Sequence, residues 1–346
     1  MNRWQKILAE SITDPADLPR RFRLDYSALR EVAATYPMRL NPYYLGLIER
    51  ADDPLGRQAI PDPRELADRV CPADPLAEER LSPVENLVHK YPDRALLLVS
   101  SGCAMYCRFC TRKRKVGTGR FRVDRESLEA GLAYLERTPA IRDVLVSGGD
   151  PLLLEDDRLE WLLARLRRID SLEIIRLGTR VPCTLPMRVT ASLARLLKKF
   201  HPLYINTHFN HPAEVTAEAA RACRRLADAG IPLGCQTVLL RGVNNDARVI
   251  KNLLHRLLMV RVKPYYIFQA DLSRGTDHFR TPLREGLEIM RRLHGHTSGL
   301  AVPRFAVDLP GGGGKVQLPP DFAPGAERVH RFRNYRGEWC DYPDPE

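Results

Sequence analysis

Three cysteines stand within eight residues, Cys103-Ala-Met-Tyr-Cys107-Arg-Phe-Cys110, and the next cysteine is Cys183. Thiolates this close together can share one metal centre. A cluster of four irons ordinarily takes four cysteines, so a turn supplying three leaves one iron open to a small molecule. The alternatives are a disulfide, which suits a secreted chain, and a zinc knuckle, which usually pairs C-x₂₋₄-C motifs or mixes Cys with His. The second chemical signal is Asp308-Leu-Pro-Gly-Gly-Gly-Gly-Lys315. A phosphate-binding P-loop needs glycine six residues before its lysine and Ser or Thr after it; Leu309 and Val316 stand there instead. A lysine on a flexible glycine hinge suits a Schiff base with pyridoxal 5′-phosphate (PLP). A solvated lysine on a glycine-rich turn is the alternative.

These groups need elements to position them. From about residue 95 onward, apolar runs alternate with helical patterns. Strands are expected at 95–100, 144–146, 174–177, 203–207, 236–240 and 265–269, and a further one at 301–308. Helices are expected at 124–137, around Leu159–Leu166, and at 192–200, 213–229, 247–260 and 283–293, with Asp124 as an N-cap and Pro139 as a stop. Six βα units imply parallel strands joined by right-handed crossovers. The fold class is therefore α/β, a partial (βα)6 barrel. Its expected divisions are a helical N-terminal region (1–94), the barrel (95–300) and a C-terminal segment carrying Lys315 (301–346). The N-terminal region is Pro-rich, with helical patches at 26–36 and 42–50, and reads as a cap or an oligomer contact. The unusual segments all follow strands: the cysteines the first, Ser147-Gly-Gly-Asp150 the second, Gly178-Thr-Arg180 the third, Thr207-His-Phe-Asn-His211 the fourth and Asp271 the sixth. Barrel enzymes keep their chemistry at that end of the strands.

The chain has 346 residues, enough for one large domain with appendages or for two. It has no apolar run of membrane-spanning length and no apolar signal-peptide core near Met1. Cys71, Cys183, Cys223, Cys235 and Cys340 show no framework spacing, which fits a reducing cytoplasm. The formal charge of +11 raises nucleic acid as a partner. The densest basic run, Arg112-Lys-Arg-Lys115 with Arg120 and Arg122, adjoins the cysteines. For most of this charge, a solvated arginine-rich surface is the better reading.

The C-x₃-C-x₂-C turn is the signature of the radical S-adenosylmethionine (SAM) superfamily, in which SAM chelates the open iron of a [4Fe-4S] cluster. The chain further resembles the lysine 2,3-aminomutase family over nearly all of residues 80–340. The matching segments are His89-Lys-Tyr-Pro-Asp-Arg94, the cysteines with Thr111-Arg112, Ser147-Gly-Gly-Asp-Pro-Leu-Leu153, and Arg176-Leu-Gly-Thr-Arg180. They continue with Lys263-Pro-Tyr-Tyr266, His278-Phe-Arg-Thr-Pro282, Gly295-His-Thr-Ser-Gly299 and Asp308–Lys315. The resemblance implies an isomerase that moves the α-amino group of L-lysine to C3, giving β-lysine, through a PLP external aldimine and a 5′-deoxyadenosyl radical. It also implies an electron donor such as flavodoxin or ferredoxin.

By the same resemblance, Cys103, Cys107 and Cys110 hold the cluster and Lys315 holds PLP, with Arg94 and Tyr91 nearby. Gly148, Gly149 and Asp150 meet the amino group of SAM, and His208 and Gln236 line its site. Arg112 grips the substrate carboxylate, for which a planar fork is suited; Asp271 and Asp308 receive the distant ammonium, since a buried cation needs partners. Blander readings stand beside these: His208 as a core histidine, Arg94 as an ion-pair partner, either aspartate as a turn cap. The family's glutamate-specific members lack the aspartate pair, which argues against an acidic substrate; arginine stays open. Longer members carry a cysteine-rich zinc tail. Here only Cys340 stands in that region and Asp246 occupies the position of an earlier ligand, so no zinc and a homodimer are expected. Alternatives are an aminomutase serving β-lysylation of elongation factor P, a radical SAM enzyme acting on RNA, and an electron-carrying iron–sulfur module.

Overall fold

Nine strands pair in the order in which they occur: β1 (Leu87–Tyr91), β2 (Arg94–Leu98), β3 (Asp143–Ser147), β4 (Ile174–Gly178), β5 (Leu203–His208), β6 (Leu233–Leu239), β7 (Val262–Gln269), β8 (Arg304–Leu309) and β9 (Gly314–Gln317). The computed structural model describes residues 1–119, 121–319, 328–333 and 336–345, so Arg120 of the basic run lies outside the described residues. From β2 to β8 the strands are parallel, while β1 and β9 join the two ends antiparallel. The two outer strands meet. The Lys315 backbone N–H on β9 donates to the Tyr91 hydroxyl on β1 at 2.9 Å. The sheet has thus curled into a nearly closed barrel.

Five short helices precede the sheet: α1 (Arg3–Ala9), α2 (Tyr26–Thr35), α3 (Pro42–Leu45), α4 (Gly56–Ala59) and α5 (Arg64–Ala67). The crossovers carry α6 (Arg125–Glu136), α7 (Asp156–Arg167), α8 (Val181–Thr184) with α9 (Ala191–Lys198), α10 (Ala217–Asp228), α11 (Ala247–Met259) and α12 (Leu283–Leu293). Caps fix several starts: the side chains of Asp124, Thr190 and Thr216 accept from backbone N–H groups three residues on, and Asp246 accepts from Arg248 and Val249. The expected helix at 213–229 is shorter because Thr216 restarts the chain after a 3₁₀ turn at Pro212–Glu214. A separate two-stranded sheet, β10 (Val329–Arg333) with β11 (Trp339–Pro343), packs Phe332 and Tyr342 into the core beside α12. No helix among the described residues is long and apolar enough to cross a membrane.

Strand burial alternates, most clearly in β6. Leu203, Ile205, Leu233 and Cys235 join the core formed with α9 and α10, each fully buried leucine or isoleucine contributing about 1.5–3 kcal/mol. The alternate positions are polar and joined across strands: Arg176 to Asp143 at 2.8 Å, Asn206 to the Tyr265 hydroxyl at 3.0 Å, and that hydroxyl to Gln236 at 3.2 Å. Parallel strands usually read as continuous apolar runs because both faces are covered. Here the second face lines the barrel interior. Two extensions of the expected strands follow. β6 starts earlier than residue 236, and β7 runs through Pro264, where the register shifts between Cys235 and Gln236 so that Tyr265 bulges out.

Candidate active site

The cysteine turn follows β2 and is walled by the N-terminal region. Asn41 donates to the carbonyls of Ala104 and Thr184, Tyr106 N–H to Arg39, and Arg108 N–H to Gln58. Residues 1–94 therefore do more than cap the barrel; they hold this turn. No disulfide engages Cys103, Cys107 or Cys110. Burial pushes the Cys110 thiol up to about 11 and the Cys103 thiol well above its ordinary value, so thiolates here require nearby positive charge. Arg180 supplies some: its Nη1 donates to Cys107 Sγ at 2.8 Å, and its Nη2 to Gln58 and Glu214. Among the described residues no three His, Cys, Asp or Glu side chains gather round a single ion. Three unpaired thiols on one turn, with a guanidinium aimed at one of them, fit a cluster that spreads its ligands over several irons.

The Gly148-Gly149-Asp150 segment lies against the base of the turn. A Cβ on Gly149 would sit 2.1 Å from the Gly102 carbonyl oxygen, and one on Gly148, where φ is +133°, 2.4 Å from that of Ser100. Only glycine allows this approach. Asp150 then accepts from Thr179 Oγ1 at 2.6 Å and from the N–H groups of Arg180, Val181 and Leu152. Burial pushes its carboxyl up to about 6 against those bonds. These partners belong to the chain itself, so Asp150 orients the segment that carries Arg180.

His208 and Gln236 are register partners on β5 and β6. His208 Nε2 pairs with Asn210 Oδ1 at 2.8 Å; that oxygen accepts from Val238 as well, which assigns the proton to Nε2. Burial, then Arg180, pushes this imidazole down to about 3, so it is neutral. Gln236 is taken up by Tyr265.

Lys315 corrects one expectation. It is not on a flexible hinge but on β9, directly opposite Asp308 on β8. The glycines make the turn between them, with Gly311 at φ 63° and Gly312 at φ 80°. Lys315 Nζ lies 3.0 and 3.1 Å from the two Asp308 oxygens and 5.2 Å from the centre of the Phe268 ring. Burial lowers the basicity of this amine, but Asp308, Tyr91 and Asp271 outweigh it and the net direction is upward. Asp271 shares the pocket: burial, then Asp308, pushes its carboxyl up to about 8 against Lys315 and Lys90. Lys90 Nζ is 3.9 Å from Asp308. Arg94 donates to Asp93 and stacks 3.9 Å over the ring of Tyr91, whose hydroxyl meets the Lys315 backbone.

Arg112 connects the two groups of residues. Its Nε and Nη2 are gripped by the buried carboxylate of Glu78, at 3.0 and 2.6 Å, while Nη1 reaches the Gly148 carbonyl at 3.3 Å. Glu78, Lys90 and Glu65 were not singled out from sequence, and Arg180 was noted only as part of a segment. Lys90 and Arg180 sit inside matching segments and were within reach; Glu78 lies in an irregular stretch and Glu65 on the single-turn α5, neither within a motif.

Residues 97–254 match the radical SAM superfamily, and residues 290–346 match the family described as lysine-2,3-aminomutase. The L-lysine 2,3-aminomutase of Fusobacterium nucleatum is 50% identical over 320 residues, covering 90% of this chain and 74% of that protein. That of Clostridium subterminale is 50% identical over 313 residues, covering 89% and 75%. The glutamate 2,3-aminomutase of Clostridioides difficile is 45% identical over 325 residues, covering 92% and 76%. Overall identity therefore leaves the substrate to be argued from the pocket.

Proposed function

The chain belongs to the lysine 2,3-aminomutase family of radical SAM isomerases, and from that premise we propose that it converts L-lysine to β-lysine by moving the α-amino group to C3. The observation that carries the choice of substrate is the pair of carboxylates, Asp271 and Asp308, set beside Lys315. An acidic substrate would meet the Asp308 charge and bring no cation to draw the proton off Asp271; a substrate ending in a cation favours the ionised form of Asp271 and meets two partners.

The family's cofactors are a [4Fe-4S] cluster, SAM and PLP; bound together they supply a reducing electron, a carbon radical and a conjugated system across which nitrogen migrates. Every other part is played by side chains. In this reading Cys103, Cys107 and Cys110 hold the cluster, with Arg180 donating to Cys107. Lys315 holds PLP, its backbone fixed by Tyr91, whose ring Arg94 covers. Arg112 receives the substrate carboxylate, and Glu78 keeps its guanidinium from turning. Asp271 and Asp308 receive the far ammonium. His208, neutral and pinned by Asn210, offers polar lining without adding charge near the SAM side of the barrel. The reductant is a carrier of the flavodoxin or ferredoxin class.

The test is anaerobic. The protein is reconstituted with iron and sulfide, given PLP, SAM and dithionite, and assayed with L-lysine by chromatography. β-Lysine is the expected product. Turnover of L-glutamate in its place overturns the reading of the aspartate pair, and SAM cleavage without a PLP absorbance band overturns the aminomutase reading.

A further inference from the structure

The cysteine turn is held by a buried charge cluster that the proposed reaction does not use. Glu65, on α5 of the N-terminal region, is 1% exposed. Its Oε1 accepts from Arg108 Nε at 2.9 Å and its Oε2 from Arg108 Nη2 at 2.5 Å, while Lys113 Nζ lies 2.6 Å from the same Oε2. Arg108 is 1% exposed and Lys113 6%. Their remaining donors are also committed: Arg108 to the carbonyls of Tyr36 and Pro37, Lys113 to those of Arg108 and Gly275, with its ammonium 4.5 Å from the Tyr36 ring centre. One carboxylate therefore grips both flanks of the turn that bears Cys107 and Cys110, since Arg108 stands between those cysteines and Lys113 three residues beyond.

The charges do not cancel. Two cations face one anion in a site that water does not reach. An apolar trio of similar volume would hold the backbone at least as well, because burying ions is costly. It would not supply a fixed positive charge beside thiolates. Both cations belong to the turn that presents the thiols: the Lys113 backbone N–H donates to the Cys110 carbonyl at 3.2 Å, and that of Arg108 to the Gln58 carbonyl at 2.9 Å.

We propose that Glu65 is a positioning residue of the iron–sulfur site, locking Arg108 and Lys113 against the cysteine turn and, through them, setting the field in which the cluster is reduced. The inference rests on the reading of Cys103, Cys107 and Cys110 as cluster ligands. A more positive surround stabilises the reduced, more negative cluster and raises its potential. The full chain, reconstituted with iron and sulfide, is titrated potentiometrically with the cluster followed by electron paramagnetic resonance. Burial holds Lys113 down to about 8 even beside Glu65, so Glu65→Gln is made together with Lys113→Arg, which cannot lose its proton; this pair leaves two cations and shifts the potential upward. Lys113→Met removes one cation and shifts it downward. Glu65→Gln with Lys113→Met keeps the net charge of the native protein and returns toward its potential. Unchanged potentials, or shifts of the same sign in the Glu65→Gln/Lys113→Arg and Lys113→Met variants, overturn the proposal. Should Glu65→Gln fail to fold, the direction in Lys113→Met decides. Failure of the unmodified chain to assemble any cluster refutes the cysteine reading, and this inference falls with it.

Discussion

Asp308→Asn is the sharpest test of the pocket, because in the cofactor-free chain Asp308 holds the lysine that must react. Its two oxygens lie 3.0 and 3.1 Å from Lys315 Nζ, and it is the strongest influence raising the basicity of that amine against burial. Asparagine keeps the shape and loses the charge. A hydrogen bond to a charged group is worth about 1.5–3 kcal/mol; the Lys315 side chain is 38% accessible, and solvent screening favours the lower figure. At about 1.4 kcal/mol per pKa unit, that loss lowers the ammonium by about one unit. Lys90, 3.9 Å from Asp308, loses that attraction too and adds repulsion in the same direction. Only the neutral amine attacks an aldehyde, so well below its pKa the rate of Schiff-base formation with added PLP rises by up to about tenfold in the variant. The assay follows the absorbance over a pH series from about 6 to about 9, with borohydride trapping and peptide mapping to locate the bond at Lys315. A rate–pH profile that stays in place, or moves to higher pH, refutes the reasoning.

Asp271→Ala raises the KM for lysine by about 10- to 100-fold, from the loss of about 1.5–3 kcal/mol of charged hydrogen bonding, while iron content stays at the native level; an unchanged KM removes Asp271 from the site. His208→Gln flattens the acid dependence of stability. The native imidazole is held near 3 in place of 6.5, so the folded state resists a proton that the unfolded chain accepts, and stability falls as pH drops through that window. Between pH 7 and pH 5 the native protein loses about 2 kcal/mol by this route, and the variant does not. Urea denaturation of the cofactor-free protein at both values measures the difference; parallel losses refute it.

The parallel core was legible because its helices keep one apolar face and its strands end in chemically unusual loops. α12 has the expected bounds of 283–293, and α6, α9 and α11 lie within a residue or two of theirs. The strands β1 and β9 were not expected. Each is short, and β9 begins with Gly314, a residue that disfavours strand in isolation; what makes it a strand is pairing with β8 in a register that places Lys315 opposite Asp308. Tertiary pairing overrode local preference. The early start of β6 was missed for a related reason, since Gly234 and Pro264 weaken the pattern where the bulge absorbs them.

Candidate site residues could be nominated from sequence where the chemistry is written into one short segment, as with the cysteines and Lys315, and not where a carboxylate arrives from far along the chain. Glu65 stands 43 residues before Arg108 and Glu78 34 before Arg112, in stretches with no periodicity to draw the eye. Yet an arginine-and-lysine-rich turn beside three cysteines poses its own question: positive charges that are buried must be answered by negative ones. Arg108, Arg112, Lys113 and Arg114 all find acidic partners between residues 65 and 79. The basic run that suggested nucleic acid is thus largely spent within the molecule, on an acidic stretch of the N-terminal region. Charge balance, unlike periodicity, predicts that such a stretch exists without saying where; the fold supplies the location, and with it the reason the N-terminal region is joined to the cluster turn.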